Sequence, residues 1–89
     1  MLRAEMTVAD SGVGVLDKSV AVLEAVEDGA RSLAELVAAT GLTRATTHRL
    51  ATALETHGLL ARESRGRWRL GPRLLALGSS AARTLSASQ

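Results

Sequence analysis

The sequence predicts a mainly α fold with a small β-hairpin: a winged helix-turn-helix of three helices and a two-stranded wing, followed by a linker helix. Three observations lead there. Thr40-Gly41-Leu42 separates two amphipathic stretches by a short turn containing glycine, which is the spacing of a helix-turn-helix. Two strand-like runs, 59–63 and 67–70, flank Ser64-Arg65-Gly66, a three-residue loop whose last glycine suits a type I turn plus a glycine bulge. Gly71-Pro72 then breaks the second run, and proline suits the first position of a further helix.

The elements follow in chain order. Residues 1–15 are mixed and glycine-bearing and read as a flexible N-terminal arm. The glycines in GVGV do not make a phosphate loop, since no strand precedes them and the GxGxxG spacing is missing. The winged domain is expected over 16–70. Asp17 is expected to cap a first helix over 18–27, with Leu16, Val20, Leu23 and Val26 as its buried stripe and Asp28-Gly29 as its end. Ser32 and Glu35 have the S-x-x-E spacing of a capping box, in which each side chain satisfies a backbone donor at the start of a helix. That second helix is expected over 33–39, with Leu33, Leu36 and Val37 inward. Gly41 supplies the positive φ that the turn requires.

Thr43 is expected to cap a third helix that runs to about His57 and stops at Gly58. Its Thr47, Leu50, Ala51 and Leu54 fall on one side at helical spacing. In the hairpin, counting from the loop pairs Arg62 with Trp68 and Leu60 with Leu70. Leu60, Trp68 and Leu70 are then expected to cover the helices, while Arg67 and Arg69 point away. The linker helix is expected over 71–85, weakened in its middle by Gly78-Ser79-Ser80. Residues 86–89 are expected to be a frayed tail.

With 89 residues the chain has room for one modest core, built from Leu, Val and Ala around a lone tryptophan. Cysteine is absent, which excludes disulfides and thiolate metal sites. Apolar runs reach about four residues, against the roughly 20 of a membrane-spanning helix. The first residues lack the apolar stretch of a signal peptide, so a cytoplasmic location without membrane contact is expected. His48 and His57 lie on one helix without a carboxylate or thiolate set beside them, so no metal is expected. Nothing has the pattern of a nucleophile, base and orienter. No catalytic residue and no cofactor is assigned.

The charge is unevenly placed. Net charge is only +2, but residues 1–43 balance at −4 and residues 44–89 at +6, with eight arginines against Glu55 and Glu63. Positive potential gathered in one half suits a polyanionic partner. The outward face of the third helix, Thr43, Arg44, Ala45, Thr46, His48, Arg49 and Thr52, contains arginines and hydroxyls but no acid. In a helix-turn-helix the second helix enters the major groove of DNA, where an acid would repel phosphate. The hydroxyls of Thr43 and Thr46 can bond phosphates or bases; Arg44 and Arg49 can bond phosphate or pair bidentately with guanine. At the wing tip, Arg65 reads as a phosphate or minor-groove contact or as an ordinary turn arginine. Arg67 and Arg69 suit the phosphate backbone. Arg62 has two open readings, a cation–π contact on Trp68 or a DNA contact.

With these motifs in place, the chain resembles the N-terminal domain of the IclR family of bacterial transcriptional regulators. The resemblance covers about 15–78 and rests on TGLTRATTHRLATALETHGLL and GRWRLGPRLLALG. Together, GVGVLDKSV, LVAATGL and THRLATALE look most like the actinobacterial amino-acid-responsive branch. Family members often carry a larger apolar or β-branched residue at the position of Thr47 and an aromatic one at that of His48. The departures lighten the packing of this helix and leave its base preference open. Family members also continue into an effector-binding domain whose residues are absent from this sequence, so no small-molecule site is carried over. The resemblance implies sequence-specific binding of double-stranded DNA at a near-palindromic operator. It also implies pairing of two copies through the linker helix, here Leu74, Leu75 and Leu77, with weak self-association in the absence of an effector domain. Two rivals are a winged helix used for protein interaction and a DNA-positioning module of an enzyme. The first calls for apolar anchors on the third helix and the second for catalytic residues.

Overall fold

The computed structural model describes residues 10–87. The elements are α1 (Gly14–Glu27), α2 (Leu33–Thr40), α3 (Arg44–Thr56), β1 (Leu60–Arg62), β2 (Trp68–Leu70) and α4 (Pro72–Ala87). The fold is four helices with a two-stranded antiparallel hairpin, a winged helix-turn-helix as expected. Most of the expected N-terminal arm and the end of the tail lie outside the described residues.

The helix starts show how local chemistry sets the boundaries. At α2, the Ser32 hydroxyl accepts from the Glu35 amide, and the Glu35 carboxylate accepts from the Ser32 amide at 3.0 Å and the Arg31 amide at 2.7 Å. These backbone donors, chiefly that of Arg31, hold the Glu35 carboxyl below the ordinary glutamate range, with a smaller contribution from the Arg67 charge. Gly41 ends α2 at φ 74°, the left-handed geometry expected of it. At α3, Thr43 is the cap and its hydroxyl accepts from the Thr46 amide at 3.2 Å.

The start of α1 differs from the expectation. The helix begins at Gly14, behind Val13, which makes no side-chain cap. Asp17 sits inside the first turn and reaches back, accepting from the Ser11 amide at 3.0 Å and the Ser11 hydroxyl at 2.6 Å. An acid there is favoured by the N-terminal end of the helix dipole, so Asp17 supports the start without being the cap. The buried stripe is also rotated. Val22, Ala25 and Val26 are buried, Leu23 packs partly against them, and Leu16 and Val20 are exposed. Apolar residues surround this helix on nearly every side from Val20 to Leu23, so periodicity alone does not fix its phase.

One core joins the three helices to the hairpin: Val22, Ala25 and Val26 from α1, Leu36 from α2, Ala51 and Leu54 from α3, Leu60 from β1 and Trp68 from β2. Thr47 is the buried polar member among the described residues, and its hydroxyl donates to the Thr43 carbonyl at 2.7 Å. The hairpin has the counted register, Leu60 opposite Leu70 and Arg62 opposite Trp68. Its loop closes through the Gly66 amide on the Glu63 carbonyl at 2.9 Å and the Glu63 amide on the Arg67 carbonyl at 2.7 Å, with Gly66 at φ 73°. Leu70, expected to cover the helices, is instead 39% exposed, because β2 ends there and the chain turns away at Gly71.

Two anchors come from tertiary contacts. The Trp68 amide donates to the Arg31 carbonyl at 2.8 Å, so the α1–α2 connection borders the free edge of β2. The Arg31 guanidinium in turn bonds the Val26 carbonyl at 2.6 Å and the Ala30 carbonyl at 3.0 Å. The second anchor fixes α4. The Gly71 amide donates to the Leu59 carbonyl at 2.9 Å and the Arg73 amide to the Gly58 carbonyl at 3.0 Å. A Cβ on Gly71 would lie 2.2 Å from the Gly58 oxygen, so only glycine fits this crossing. Beyond it α4 runs unbroken through Gly78-Ser79-Ser80 to Ala87, contrary to the expected weak middle. A single glycine costs a helix about 1 kcal/mol, too little to stop one with strong formers on both sides.

Candidate nucleic-acid interface

The helix-turn-helix is α2, the turn at Gly41 and α3. Burial of Thr47, Ala51 and Leu54 turns the opposite side of α3 to solvent. Thr43, Arg44, Ala45, His48 and Arg49 are exposed, and Thr46 and Thr52 are half-buried. Ala45, His48, Arg49 and Thr52 share the outward side with Thr46 at its edge, whereas Thr43 and Arg44 are in line with buried Leu54 and Ala51 and reach solvent because they stand at the helix start. Among the described residues, no ion pair or side-chain hydrogen bond occupies Arg44 or Arg49. The hydroxyls are less uniform than the sequence implied. Thr52 donates to the carbonyls of His48 and Arg49, at 3.0 Å each, so its proton is spent within the helix. Thr43 uses its hydroxyl oxygen as an acceptor and keeps its proton to donate outward.

The wing forms a second group. Arg65 is exposed at the hairpin tip, and Arg67 is exposed beside it. Arg62 lies with its guanidinium carbon 3.7 Å from the centre of the Trp68 ring and one nitrogen 3.6 Å from Glu55. Of its two readings, the cation–π contact is the one the structure adopts, and it ties the wing to the end of α3. Arg69 is exposed, but its Nε is 3.6 Å from Glu63. The linker residues separate: Leu74 is half-buried, Leu75 is 75% exposed and Leu77 is 50% exposed. His57 stands at the C-cap of α3 and lines a shallow groove with Leu59, Arg73 and Leu77.

Sequence reasoning missed Arg31, Glu55 and Gly71 as organisers of this surface. The first two were counted only as charges and Gly71 only as a strand breaker. Among the described residues, no group of three or more histidines and acids could hold a metal. No helix there is long and apolar enough to cross a membrane.

Comparison with known proteins bears directly on this arrangement. The family model for the IclR helix-turn-helix domain matches residues 15–64. The chain belongs to the IclR family. Its α2–turn–α3 unit lies within the matched residues and is the helix-turn-helix of that family. Three solved structures are similar in fold. An IclR transcriptional regulator from Alicyclobacillus acidocaldarius is 26% identical with a TM-score of 0.73, over 79% of this chain and 30% of that one. The repressor BlcR of Agobacterium tumefaciens is 30% identical with a TM-score of 0.69, over 81% of this chain and 29% of that one. An IclR homologue from Microbacterium hydrocarbonoxydans, solved with 4-hydroxybenzoate, is 32% identical with a TM-score of 0.65, over 71% of this chain and 27% of that one. The match thus spans less than a third of the length of each of these regulators. No curated protein matches the chain.

Proposed function

We propose that this IclR-family chain binds double-stranded DNA sequence-specifically, with α3 in the major groove and the Arg65-bearing wing on the backbone or minor groove. The observation that carries this reading is the acid-free stretch of α3 from Arg44 to Thr52, where Arg44 and Arg49 are exposed and unengaged among the described residues. Thr43, Arg44, Ala45 and Thr46 lie in its first turn, the part of such a helix that approaches base edges. Arg49 follows one turn later and has the reach for a guanine. Ala45 leaves room for close approach, and His48 stands between the two arginines along the face. Arg65 and Arg67 favour phosphate, with Arg69 beside them. The protein-interaction alternative is disfavoured, because none of the exposed large apolar residues lies on α3.

Operator binding by two copies belongs to the same proposal. Specificity over a genome calls for paired half-sites, whose centres lie about 34–36 Å apart or a multiple of that. The unbroken α4 offers Leu75, Leu77 and Leu85 to a second copy, at 75%, 50% and 66% exposure. Leu74, half-buried, serves the fold more than the contact. The site of action is the cytoplasm, where bacterial DNA lies. The likeness of GVGVLDKSV, LVAATGL and THRLATALE to the actinobacterial amino-acid-responsive branch supports including that branch in the proposal. Selection of bound duplexes from a random pool tests the reading. It should enrich one motif with inverted half-sites; a pool that stays random after repeated rounds would reject sequence-specific binding.

A further inference from the structure

Glu63 is the single acid in the last 33 residues of the chain, and it stands in the wing among Arg62, Arg65, Arg67 and Arg69. Alternation along the hairpin puts Ala61, Glu63, Arg67 and Arg69 on the face opposite Trp68. The carboxylate there meets Arg69 Nε at 3.6 Å, with the two side chains 44% and 52% exposed. That is longer than a charge-assisted hydrogen bond of about 2.7–2.9 Å. The other arginine–glutamate pair is built differently. Arg62 is held between Glu55 and the Trp68 ring, so two partners fix it. Both ion pairs are 3.6 Å long, but Arg62 also lies on the buried Trp68 ring. Among the described residues Arg69 has only exposed partners, Glu63 and, through Nη1 at 3.5 Å, the Leu70 carbonyl, and is open to exchange.

We propose that Glu63 is an internal competitor for phosphate: it occupies Arg69 in the free protein and holds down the affinity of the wing for DNA of any sequence. This rests on the DNA-binding reading above. When a phosphate approaches the outer face of the wing, it must displace the Glu63 carboxylate from Arg69 and overcome its repulsion. Both effects act on the backbone contact and neither touches a base, so Glu63 sets overall affinity while α3 sets sequence preference. Glutamine at this position keeps the size of the side chain and leaves both loop hydrogen bonds, which use only the Glu63 backbone, in place.

The test compares the chain with its Glu63→Gln, Arg69→Ala and doubly substituted forms, using fluorescence anisotropy on a random-sequence duplex and on the selected duplex. Trp68 emission confirms that each form is folded. Glu63→Gln should tighten binding to both duplexes by a similar factor and make the slope of log K against log salt steeper by about 0.9, the signature of one added phosphate contact. The variant's advantage should therefore shrink about 3.5-fold between about 50 and 200 mM salt. In the Arg69→Ala background the same substitution should give a clearly smaller gain, that of the lost repulsion alone. Unchanged affinity and slope in Glu63→Gln, with normal binding by the parent chain, would overturn the inference. An equal gain without Arg69 would also overturn it. A parent chain that binds no duplex at low salt would remove the DNA-binding reading itself, and the inference with it.

Discussion

Replacing Gly71 with alanine should destabilise the whole domain, although the residue is only one methyl group larger and lies outside the apolar core. The added Cβ would stand 2.2 Å from the Gly58 oxygen, 2.8 Å from the Gly58 carbonyl carbon and 3.0 Å from the Leu59 carbonyl carbon. Each is backbone, so no side chain can swing aside. Swinging α4 outward gives no relief either, since the methyl sits on Gly71 itself. The two chain segments must separate by about 1 Å to reach ordinary contact distance. That movement strains the bonds from the Gly71 amide to Leu59 and from the Arg73 amide to Gly58, now 2.9 and 3.0 Å. Overpacking of this kind costs about 1–3 kcal/mol and each weakened hydrogen bond about 0.5–1.5 kcal/mol, so a loss of about 2–6 kcal/mol is expected. A domain of this size holds only about 4–13 kcal/mol in total. Urea unfolding read by Trp68 fluorescence measures the loss, since this lone tryptophan is 1% exposed and reports on the core. Gly78→Ala is the control: nothing lies within 4 Å of its Cβ, and the exchange should be neutral or stabilising by up to about 1 kcal/mol. A Gly71→Ala protein within about 0.5 kcal/mol of the parent would refute the reasoning.

Other outcomes follow from the site and its supports. Arg49→Ala should relax base preference at one operator position, with about 1–3 kcal/mol of discrimination lost, whereas Arg65→Ala should weaken all sequences alike and flatten the salt slope; a larger motif change from Arg65→Ala would reverse the two roles. The Glu35 carboxyl is held below its ordinary value of 4.5, so its contribution is present above that pH and is lost as pH falls through the depressed value. Thermal unfolding from pH 6 down to pH 3 should show this loss in the parent and a shallower one in Glu35→Gln, and parallel curves would argue against it. Leu75→Glu with Leu77→Glu should abolish cooperative filling of a two-site duplex while sparing affinity for one half-site, as read by sedimentation. Leu74→Glu, at a half-buried position, should lower stability instead.

Much of the fold was legible because its signals are local. Ser32 and Glu35, Gly41, Thr43 and the Ser64-Arg65-Gly66 loop each state a backbone geometry within a few residues. The structure has the capping box, both turns and the hairpin register that they imply. Ala45, His48, Arg49 and Thr52 share the outward side of α3 for the same reason, since helical spacing is a local property. Features set by distant partners were not legible. Asp17 is drawn to Ser11 by a turn at Gly12, and the phase of α1 is decided by what packs against it. Gly71 looks like any strand breaker until Gly58 is placed beside it, and Arg31 like any surface charge until its carbonyl meets Trp68. Arg69 with Glu63 across the hairpin, and Arg62 with Glu55 between wing and α3, decide which arginines stay available, and a charge count gives no hint of these pairings.

The central claim is that the acid-free face of α3 and the arginines of the wing form a surface for duplex DNA. Equilibrium binding of the chain to its selected duplex, measured over a series of salt concentrations, tests it most directly. Each phosphate neutralised adds about −0.9 to the slope of log K against log salt. Contacts from Arg44, Arg65 and Arg67, with or without Arg69, predict a steep fall in affinity as salt rises. Affinity that does not change with salt, or no binding even at low salt, would contradict the account.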